Sequence, residues 1–241
     1  MTDRKRGPVA KLVESCSKKD VRNVRAFEEE RCLSILQATQ LEGTLDELIE
    51  SSCRIGILNR PDAWRQLRDA YAIRTMLRTG LRRFEFCKTR CGDVDLEAES
   101  LRVVGKGNLQ DYVPLPGAAV RTLREWLAAK DQVGESTAPR AFLFQGPDKG
   151  PISFSNLRLR WIEVLKVAGL HKPFKRKDKQ GSYGLHTLRH TAGLLVYAQT
   201  GDLAKTARFL RHTSIKTTAQ FYLHVDSDAL RKELDEVGVW K

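Results

Sequence analysis

Apolar side chains recur with the period of an α-helix over most of this chain. After Pro61, which suits the first turn of a helix, the period runs from Trp64 to Met76 and stops at Gly80, a residue typical of helix ends. The same period predicts a helix around 157–168 and four more over about 186–199, 202–210, 214–222 and 226–236. The chain is therefore predicted to be mainly helical.

Two polar clusters indicate helix starts nearer the N-terminus. Phe27-Glu28-Glu29-Glu30 places acidic side chains where a helix N-terminus favours negative charge, and Leu33 and Leu36 follow as its first apolar positions. Thr44-Leu45-Asp46-Glu47 has the spacing of a capping box, which predicts that a second helix begins there.

Two short segments have the pattern of β-strands, over 101–104 and 111–115. They flank Gly105-Lys106-Gly107-Asn108, whose composition is typical of a hairpin turn. We therefore predict an α+β fold, mainly α with a small antiparallel β-sheet. The sequence indicates one domain over 27–241, preceded by a basic arm over 1–26.

The charge of the chain indicates a polyanionic partner. Forty-two Lys and Arg residues against thirty Asp and Glu residues give a net charge of +12, and eight of these cations lie in residues 1–26. A membrane surface could also attract such a chain, but we find no basic amphipathic helix, no secretory signal and no apolar run long enough to cross a bilayer. Nucleic acid is the favoured partner, and a cytoplasmic, nucleoid-associated location is expected.

The sequence contains no pattern typical of a metal or nucleotide cofactor. The five cysteines are odd in number and scattered, as expected for thiols in a reducing compartment, and Cys87 and Cys91 have no second Cys or His pair at the spacing of a zinc site. Neither a phosphate-binding GxxxxGK[ST] loop nor an HExxH motif occurs. We expect no metal and no cofactor.

His186-Thr187-Leu188-Arg189-His190 carries the first candidate chemistry. Spacings of three and four place His186, Arg189 and His190 on one helix face, and Gly193 lets another group approach the backbone of that helix. A guanidinium beside an imidazole suits an anionic oxygen, because the first donates two hydrogen bonds and the second exchanges a proton. By itself this pattern also fits an ordinary charged helix end.

Four other features accompany it in a fixed order. Thr79-Gly80-Leu81-Arg82 with Glu85 ends the long helix, Lys106 lies in the hairpin turn, His212 follows a helix, and Tyr222 comes near the C-terminus. From Arg82 onward the successive intervals through Lys106, His186, Arg189, His212 and Tyr222 are 24, 80, 3, 23 and 10 residues. This ordered set resembles the tyrosine recombinase, or phage-type integrase, family from about residue 27 to residue 225, and implies the fold of that family's catalytic domain.

The resemblance implies a role for each matching residue. Arg82 and Arg189 would bind the non-bridging oxygens of the scissile phosphate, with Glu85 supporting the arginine. Lys106 would protonate the departing 5′-oxygen, and Tyr222 would be the nucleophile. His186 and His212 occupy the family's two positions beside the phosphate.

The physical chemistry agrees with these implied roles. Fixed arginine donors stabilise the charge that develops on a phosphoryl group, and this requires no metal. A phenol with a pKa of about 10 needs a base and nearby positive charge to attack, and an alkoxide leaving group needs an acid. The expected product is a covalent 3′-phosphotyrosine with a free 5′-hydroxyl, which can be rejoined without ATP.

Some neighbouring residues remain open to a second interpretation. Arg83 competes with Arg82, but the spacing to Glu85 favours Arg82. His190 could serve the site or only pack, and we expect the partly buried rings of Tyr112, Tyr183 and Tyr197 to be structural. A basic segment next to the helix of His186 is usually a solvated surface, yet here we favour contact with the DNA backbone through Lys172, Lys175, Arg176, Lys177 and Lys179.

The chain also departs from the family pattern. Most members carry a separate helical core-binding domain before the catalytic domain, whereas here we expect a basic arm over 1–26 and no full core-binding domain. Leu210-Arg211-His212 stands where Leu-Gly-His is usual, and the interval from His212 to Tyr222 is one residue longer than is typical. None of these departures removes a candidate catalytic group.

Three functions fit these observations to different degrees. The resemblance implies a site-specific recombinase or integrase that acts on double-stranded DNA, as a homo-tetramer on paired sites and a monomer or weak oligomer without DNA. A type IB topoisomerase-like nicking and closing enzyme would use a similar set of residues. A non-catalytic regulator could use 202–210 and 214–222 as a helix-turn-helix, but it would leave Arg82, Lys106 and Tyr222 without a purpose.

Overall fold

The computed structural model describes residues 32–58, 60–105, 109–172, 183–222 and 227–237. Within those ranges the chain forms nine α-helices and one three-stranded antiparallel sheet, which confirms the predicted fold class. The helices are α1 (Ile35–Ile55), α2 (Pro61–Thr79), α3 (Arg83–Lys88), α4 (Gly117–Gln132), α5 (Phe154–Val167), α6 (His186–Thr200), α7 (Leu203–Leu210), α8 (Ile215–Tyr222) and α9 (Ser227–Val237). The strands are β1 (Val94–Asp95), β2 (Ser100–Val104) and β3 (Gln110–Pro114). No helix among the described residues has the length and apolar character needed to cross a membrane.

Helix α1 begins at Ile35. Ser34 caps it, because its hydroxyl accepts the Gln37 N–H at 3.2 Å while the Gln37 side chain accepts the Ser34 N–H at 3.0 Å. Leu33 therefore precedes the helix, and the expected start at residues 27–30 lies outside the described residues. The second start, at Thr44, was wrong: the Thr44 hydroxyl donates to the Gln40 carbonyl within a continuous helix.

Helix α2 agrees with the sequence at both ends. Pro61 occupies its first turn, and Gly80 adopts a left-handed conformation with φ of 59° while its N–H donates to the Met76 carbonyl at 3.0 Å. The chain then turns at once into α3, for which Arg82 is the N-cap residue. The end of α2 and the start of α3 thus place Arg82 and Glu85 at one point of the molecule.

The sheet is an antiparallel meander in the order β1-β2-β3. The predicted hairpin is confirmed, because β2 and β3 pair from Ser100↔Pro114 to Val104↔Gln110 and the Gly105 N–H donates to the Leu109 carbonyl. β1 was not predicted, since two residues are too few to show an alternating pattern. The tip of the hairpin, 106–108, lies outside the described residues.

Two apolar clusters hold the helices together. The larger is centred on Trp126 of α4, whose ring stacks on Trp64 at 5.1 Å and on Phe144 at 5.0 Å between ring centroids. The smaller joins α6, α7 and α8 and includes Leu210 and Tyr222. The four C-terminal helices match their predicted bounds to within one residue, and three of them, α6, α7 and α8, form the second cluster next to the junction of α2 and α3.

Candidate active site

Arg82 and Glu85 form a short-range pair at the start of α3. The Glu85 carboxylate accepts the Arg82 backbone N–H on Oε2 and the Arg82 Nη1 on Oε1, both at 2.8 Å. The Glu85 side chain is only 4% exposed, whereas that of Arg82 is 42% exposed. Burial alone would raise the pKa of Glu85, but the Arg211 charge and the Arg82 hydrogen bonds lower it below its ordinary value. The Arg82 guanidinium is therefore held by Glu85, while the side chain remains partly open to solvent.

Arg189 lies on the first turns of α6 and is almost fully buried. Its Nη1 donates to the Gly80 carbonyl and its Nη2 to the Leu210 carbonyl, so that it joins the end of α2 to the end of α7. Burial, with the charges of Arg82 and Arg211, lowers the pKa of Arg189 to about 9. The guanidinium remains protonated at neutral pH, and its orientation is fixed by the backbone of two other helices.

His212 follows α7 and contacts the next helix. Its Nδ1 lies 2.8 Å from the Thr218 hydroxyl of α8, which leaves Nε2 as the nitrogen that can serve a substrate. Burial, and then the charges of Arg189 and Arg82, lower the pKa of His212 to about 4. His212 is therefore a neutral imidazole at pH 7.

Tyr222 ends α8 with its ring inside the smaller apolar cluster. Its hydroxyl donates to the His190 carbonyl at 3.0 Å, and its ring lies 5.9 Å from that of Tyr197 between centroids. The hydroxyl also occupies the space where a side chain at Gly193 would begin. The close approach expected at Gly193 is thus made by Tyr222, which is 2% exposed.

The two histidines of α6 lie side by side. The rings of His186 and His190 meet edge to face with centroids 4.7 Å apart, and His190 also contacts the Phe221 ring at 4.8 Å. His186 is close enough to His212 that its charge contributes to the lowered pKa of that imidazole. His190 supports Tyr222 with its carbonyl and Phe221 with its ring.

The structure thus brings seven of the predicted site residues to one region, where α6, α7 and α8 meet the junction of α2 and α3. They are Arg82, Glu85, His186, Arg189, His190, His212 and Tyr222. In the part of the chain that is described, no three His, Cys, Asp or Glu side chains are grouped so that they could hold a metal ion.

Lys106 lies outside the described residues, as do Lys175, Arg176, Lys177 and Lys179, and their roles stay predictions. Lys172 is described, and its Nζ lies 5.2 Å from the centre of the Tyr183 ring.

The tyrosines that were expected to be structural differ in their exposure. Tyr183 and Tyr197 are buried, as expected. Tyr112 is 62% exposed, so the expectation of a partly buried ring was wrong there, because its position on β3 faces outward.

Arg211 is a member of this region that the sequence did not predict. Its side chain is 7% exposed and its Nη2 pairs with Glu85 Oε2. A signal was present, since an arginine stands where a glycine is usual, directly before His212. A side chain at a left-handed helix end is strained, so an arginine at this position indicates a compensating contact.

Comparisons with known proteins agree on one family. The sequence profile described as "Phage integrase family" matches residues 46–228. The chain is 34% identical over 169 residues to tyrosine recombinase XerC of Xylella fastidiosa (strain 9a5c), covering 70% of this chain and 52% of that protein. It is 29% identical over 201 residues to tyrosine recombinase XerC of Xanthomonas axonopodis pv. citri (strain 306), covering 83% of this chain and 61% of that protein. The chain therefore spans about half to three fifths of these relatives.

Solved structures share the fold at lower identity. XerH site-specific recombinase, bound to difH substrate in a pre-cleavage complex, superposes with a TM-score of 0.60 at 21% identity, over 88% of this chain and 53% of that chain. A lambda integrase (75–356) dimer bound to a COC′ core site superposes with a TM-score of 0.51 at 18% identity, over 78% of this chain and 60% of that chain.

Proposed function

This chain belongs to the phage integrase family, the tyrosine recombinases, and from that premise we propose that it cuts and rejoins double-stranded DNA at specific sites through a covalent 3′-phosphotyrosine. The observation that carries the proposal is the convergence of two arginines, a neutral histidine and a tyrosine. Arg82 and Arg189 are fixed by the carbonyls of adjacent residues, Arg211 and Leu210. Two guanidiniums oriented in this way suit two non-bridging oxygens of one phosphodiester.

The proposed reaction is an exchange of one phosphodiester for another. The Tyr222 oxygen attacks phosphorus, a bond forms between them, and the bond from phosphorus to the 5′-oxygen breaks. Lys106 gives a proton to that 5′-oxygen. The phenol proton passes to a neighbouring base, for which neutral His212 is suited, because an anionic phosphate bound nearby raises the pKa of that imidazole.

Tyr222 must change its contacts before it can attack. Its hydroxyl proton is engaged by the His190 carbonyl and its ring is buried, so that the phenol oxygen is directed at α6. His186 and Arg189, on the same helix, would hold the phosphate while α8 carries Tyr222 to it. The +12 charge of the chain supports a DNA partner. A homo-tetramer on paired sites and a location beside the nucleoid belong to the same proposal.

The proposal is tested by trapping the covalent intermediate. A library of nicked duplexes with a randomised centre is incubated with the 241-residue chain, and SDS-stable protein–DNA adducts are recovered and sequenced. A nick beside the cleavage point lets the 5′-hydroxyl fragment diffuse away, so the adduct accumulates. We expect the wild-type chain to enrich one sequence, Tyr222→Phe to give no adduct, and Tyr112→Phe, which alters an exposed tyrosine, to match the wild type.

Three outcomes would contradict the proposal. An adduct that survives in Tyr222→Phe would place the nucleophile elsewhere. Adducts without sequence enrichment would favour a nicking and closing enzyme of the topoisomerase type. A chain that binds DNA yet forms no adduct would favour a non-catalytic DNA-binding protein.

A further inference from the structure

Arg211 occupies a backbone position that normally belongs to glycine. It follows the last residue of α7 with φ of 52° and ψ of 47°, in the left-handed region. The next N–H, that of His212, donates to the Ala207 carbonyl at 3.0 Å, which completes the usual hydrogen-bonded end of a helix. A residue with a side chain is strained in this conformation, and the strain persists only where the surrounding structure holds it.

The side chain of Arg211 is held by the candidate site. Nη2 pairs with Glu85 Oε2 and Nη1 donates to the Phe209 carbonyl at 3.2 Å. Among the described residues, its buried Nε has no hydrogen-bond partner. Burial lowers the pKa of Arg211, whereas the charge of Glu85 raises it. Arg211 thus places a third guanidinium near those of Arg82 and Arg189, and only 7% of its side chain is exposed.

One carboxylate holds two arginines in this arrangement. Glu85 binds Nη1 of Arg82 on Oε1 and Nη2 of Arg211 on Oε2. The backbone of Arg211 makes a second link, because its carbonyl accepts Nη2 of Arg82. Arg82 is therefore fixed from two sides by contacts that depend on Arg211, one through its side chain and one through its backbone.

We propose that Arg211 is a positioning residue, which acts through Glu85 to hold the Arg82 guanidinium in the orientation that binds the scissile phosphate. The inference rests on the proposed function. With a glycine at this position, Glu85 would keep its two contacts with Arg82 and would lose the charge that holds Oε2 from the other side. Without that second guanidinium, Glu85 would be held by Arg82 alone, and the Arg82 guanidinium would be less firmly oriented.

Arg211→Gly separates this role from a purely structural one. Glycine relieves the left-handed strain, but it also removes the buried ion pair with Glu85, so the melting temperature is measured and rates are compared where both proteins are folded. We expect adduct formation on the duplex enriched by the wild type to slow by up to about 100-fold, the usual effect of misplacing a reacting group by about 1 Å. The Kd for that duplex should change by less than about 3-fold, and Arg211→Lys, which retains a cation beside Glu85, should recover part of the rate.

Lys149→Gly is the matched control. Lys149 is also a cation in the left-handed region, with φ of 59°, but it lies on an exposed turn away from the site. This variant relieves the same strain and removes the same charge, and its rate of adduct formation should equal that of the wild type. If Arg211→Gly does not fold, Arg211→Gln, which keeps the length and loses the charge, takes its place.

A double variant tests whether Glu85 carries the effect. In a Glu85→Gln background, Arg211→Gly should slow adduct formation much less than it does in the wild type, because the shared carboxylate is already gone. Equal rates for Arg211→Gly and wild type would overturn the inference while leaving the proposed function intact, and so would fully additive effects in the double variant. A wild-type chain that forms no adduct would overturn the proposed function itself.

Discussion

At the scale of single residues, Gly193 decides where the tyrosine hydroxyl can lie. A Cβ at this position would collide with the Tyr222 hydroxyl and would meet Leu210 Cδ1 at 2.7 Å. Gly193→Ala gains about 1 kcal/mol of helix propensity, whereas overpacking costs about 1–3 kcal/mol. We predict a net loss of about 1 kcal/mol in the free energy of unfolding, measured by urea denaturation.

Two variants make the Gly193 prediction specific. Gly43→Ala lies in α1 with nothing within 4 Å of the new Cβ, so it should gain stability instead. In a Tyr222→Phe background the clashing oxygen is gone and Leu210 can rotate, so Gly193→Ala should cost less there. An equal cost in both backgrounds would show that Tyr222 does not occupy this space in solution.

Sequence patterns predicted the residues of the site better than their contacts. The spacing of His186, Arg189 and His190 put all three on one face, and the structure places them near Tyr222 and His212 as neighbours. The pattern could not show that Arg189 is buried, because its partners are the carbonyls of Gly80 and Leu210, far away in sequence. Arg211 was missed for the same reason, since only the tertiary fold brings Glu85 to it.

At the scale of elements, a network of buried charges around Glu42 joins three helices. Glu42 of α1 binds Nε and Nη2 of Arg78 at 2.8 and 2.9 Å and Nε of Arg74 at 3.0 Å, both on α2. Nη1 of Arg78 also donates to the Thr122 hydroxyl of α4 at 2.7 Å. Arg74 pairs with Asp46 of α1 as well, so these buried charges hold α1, α2 and α4 in one arrangement.

We predict that Glu42→Gln lowers the free energy of unfolding by about 3–5 kcal/mol, because it leaves the buried Arg78 guanidinium without its carboxylate and leaves Arg74 with Asp46 alone. Glu50→Gln is the control on the same helix. The Glu50 side chain pairs with Arg54 while 69% exposed, and its loss should change stability by less than about 0.5 kcal/mol. Urea denaturation of the two variants measures the difference, and similar losses would mean that Glu42 is solvated.

Helix α1 shows why the capping-box pattern at Thr44 did not mark a helix start. Thr44-Leu45-Asp46-Glu47 has the pattern of a helix start, yet Leu41, one turn before it, and Leu45, within it, are both fully buried in the core. Packing of the apolar face therefore carried the helix through a local start signal. The opposite case is α2, where Pro61 and Gly80 act through backbone geometry that packing does not override.

At the scale of the whole molecule, the positive charge is spread unevenly along the sequence. Of the forty-two Lys and Arg residues, eight lie in residues 1–26 against three acidic residues there, and all candidate catalytic residues follow residue 27. The mainly helical fold with its small sheet could be predicted from periodicity and turn chemistry. How the proposed enzyme would hold a duplex depends on phosphate contacts that periodicity does not encode.

We predict that the basic arm supplies a large share of those contacts. Each phosphate neutralised contributes about −0.9 to the slope of log affinity against log salt concentration, so engaging half of the eight cations contributes roughly 3 to 4 units. Deleting residues 1–26 should flatten the slope by that amount when binding to a labelled duplex is followed through a NaCl titration. Replacing the eight cations with glutamine should have the same effect, which separates charge from length.

The rate of adduct formation on pre-bound nicked duplex should stay close to that of the full chain, because the deletion removes no candidate catalytic residue. Identical slopes for the full and shortened chains would show that the arm makes no phosphate contact, and the binding energy would then have to come from the domain that follows it.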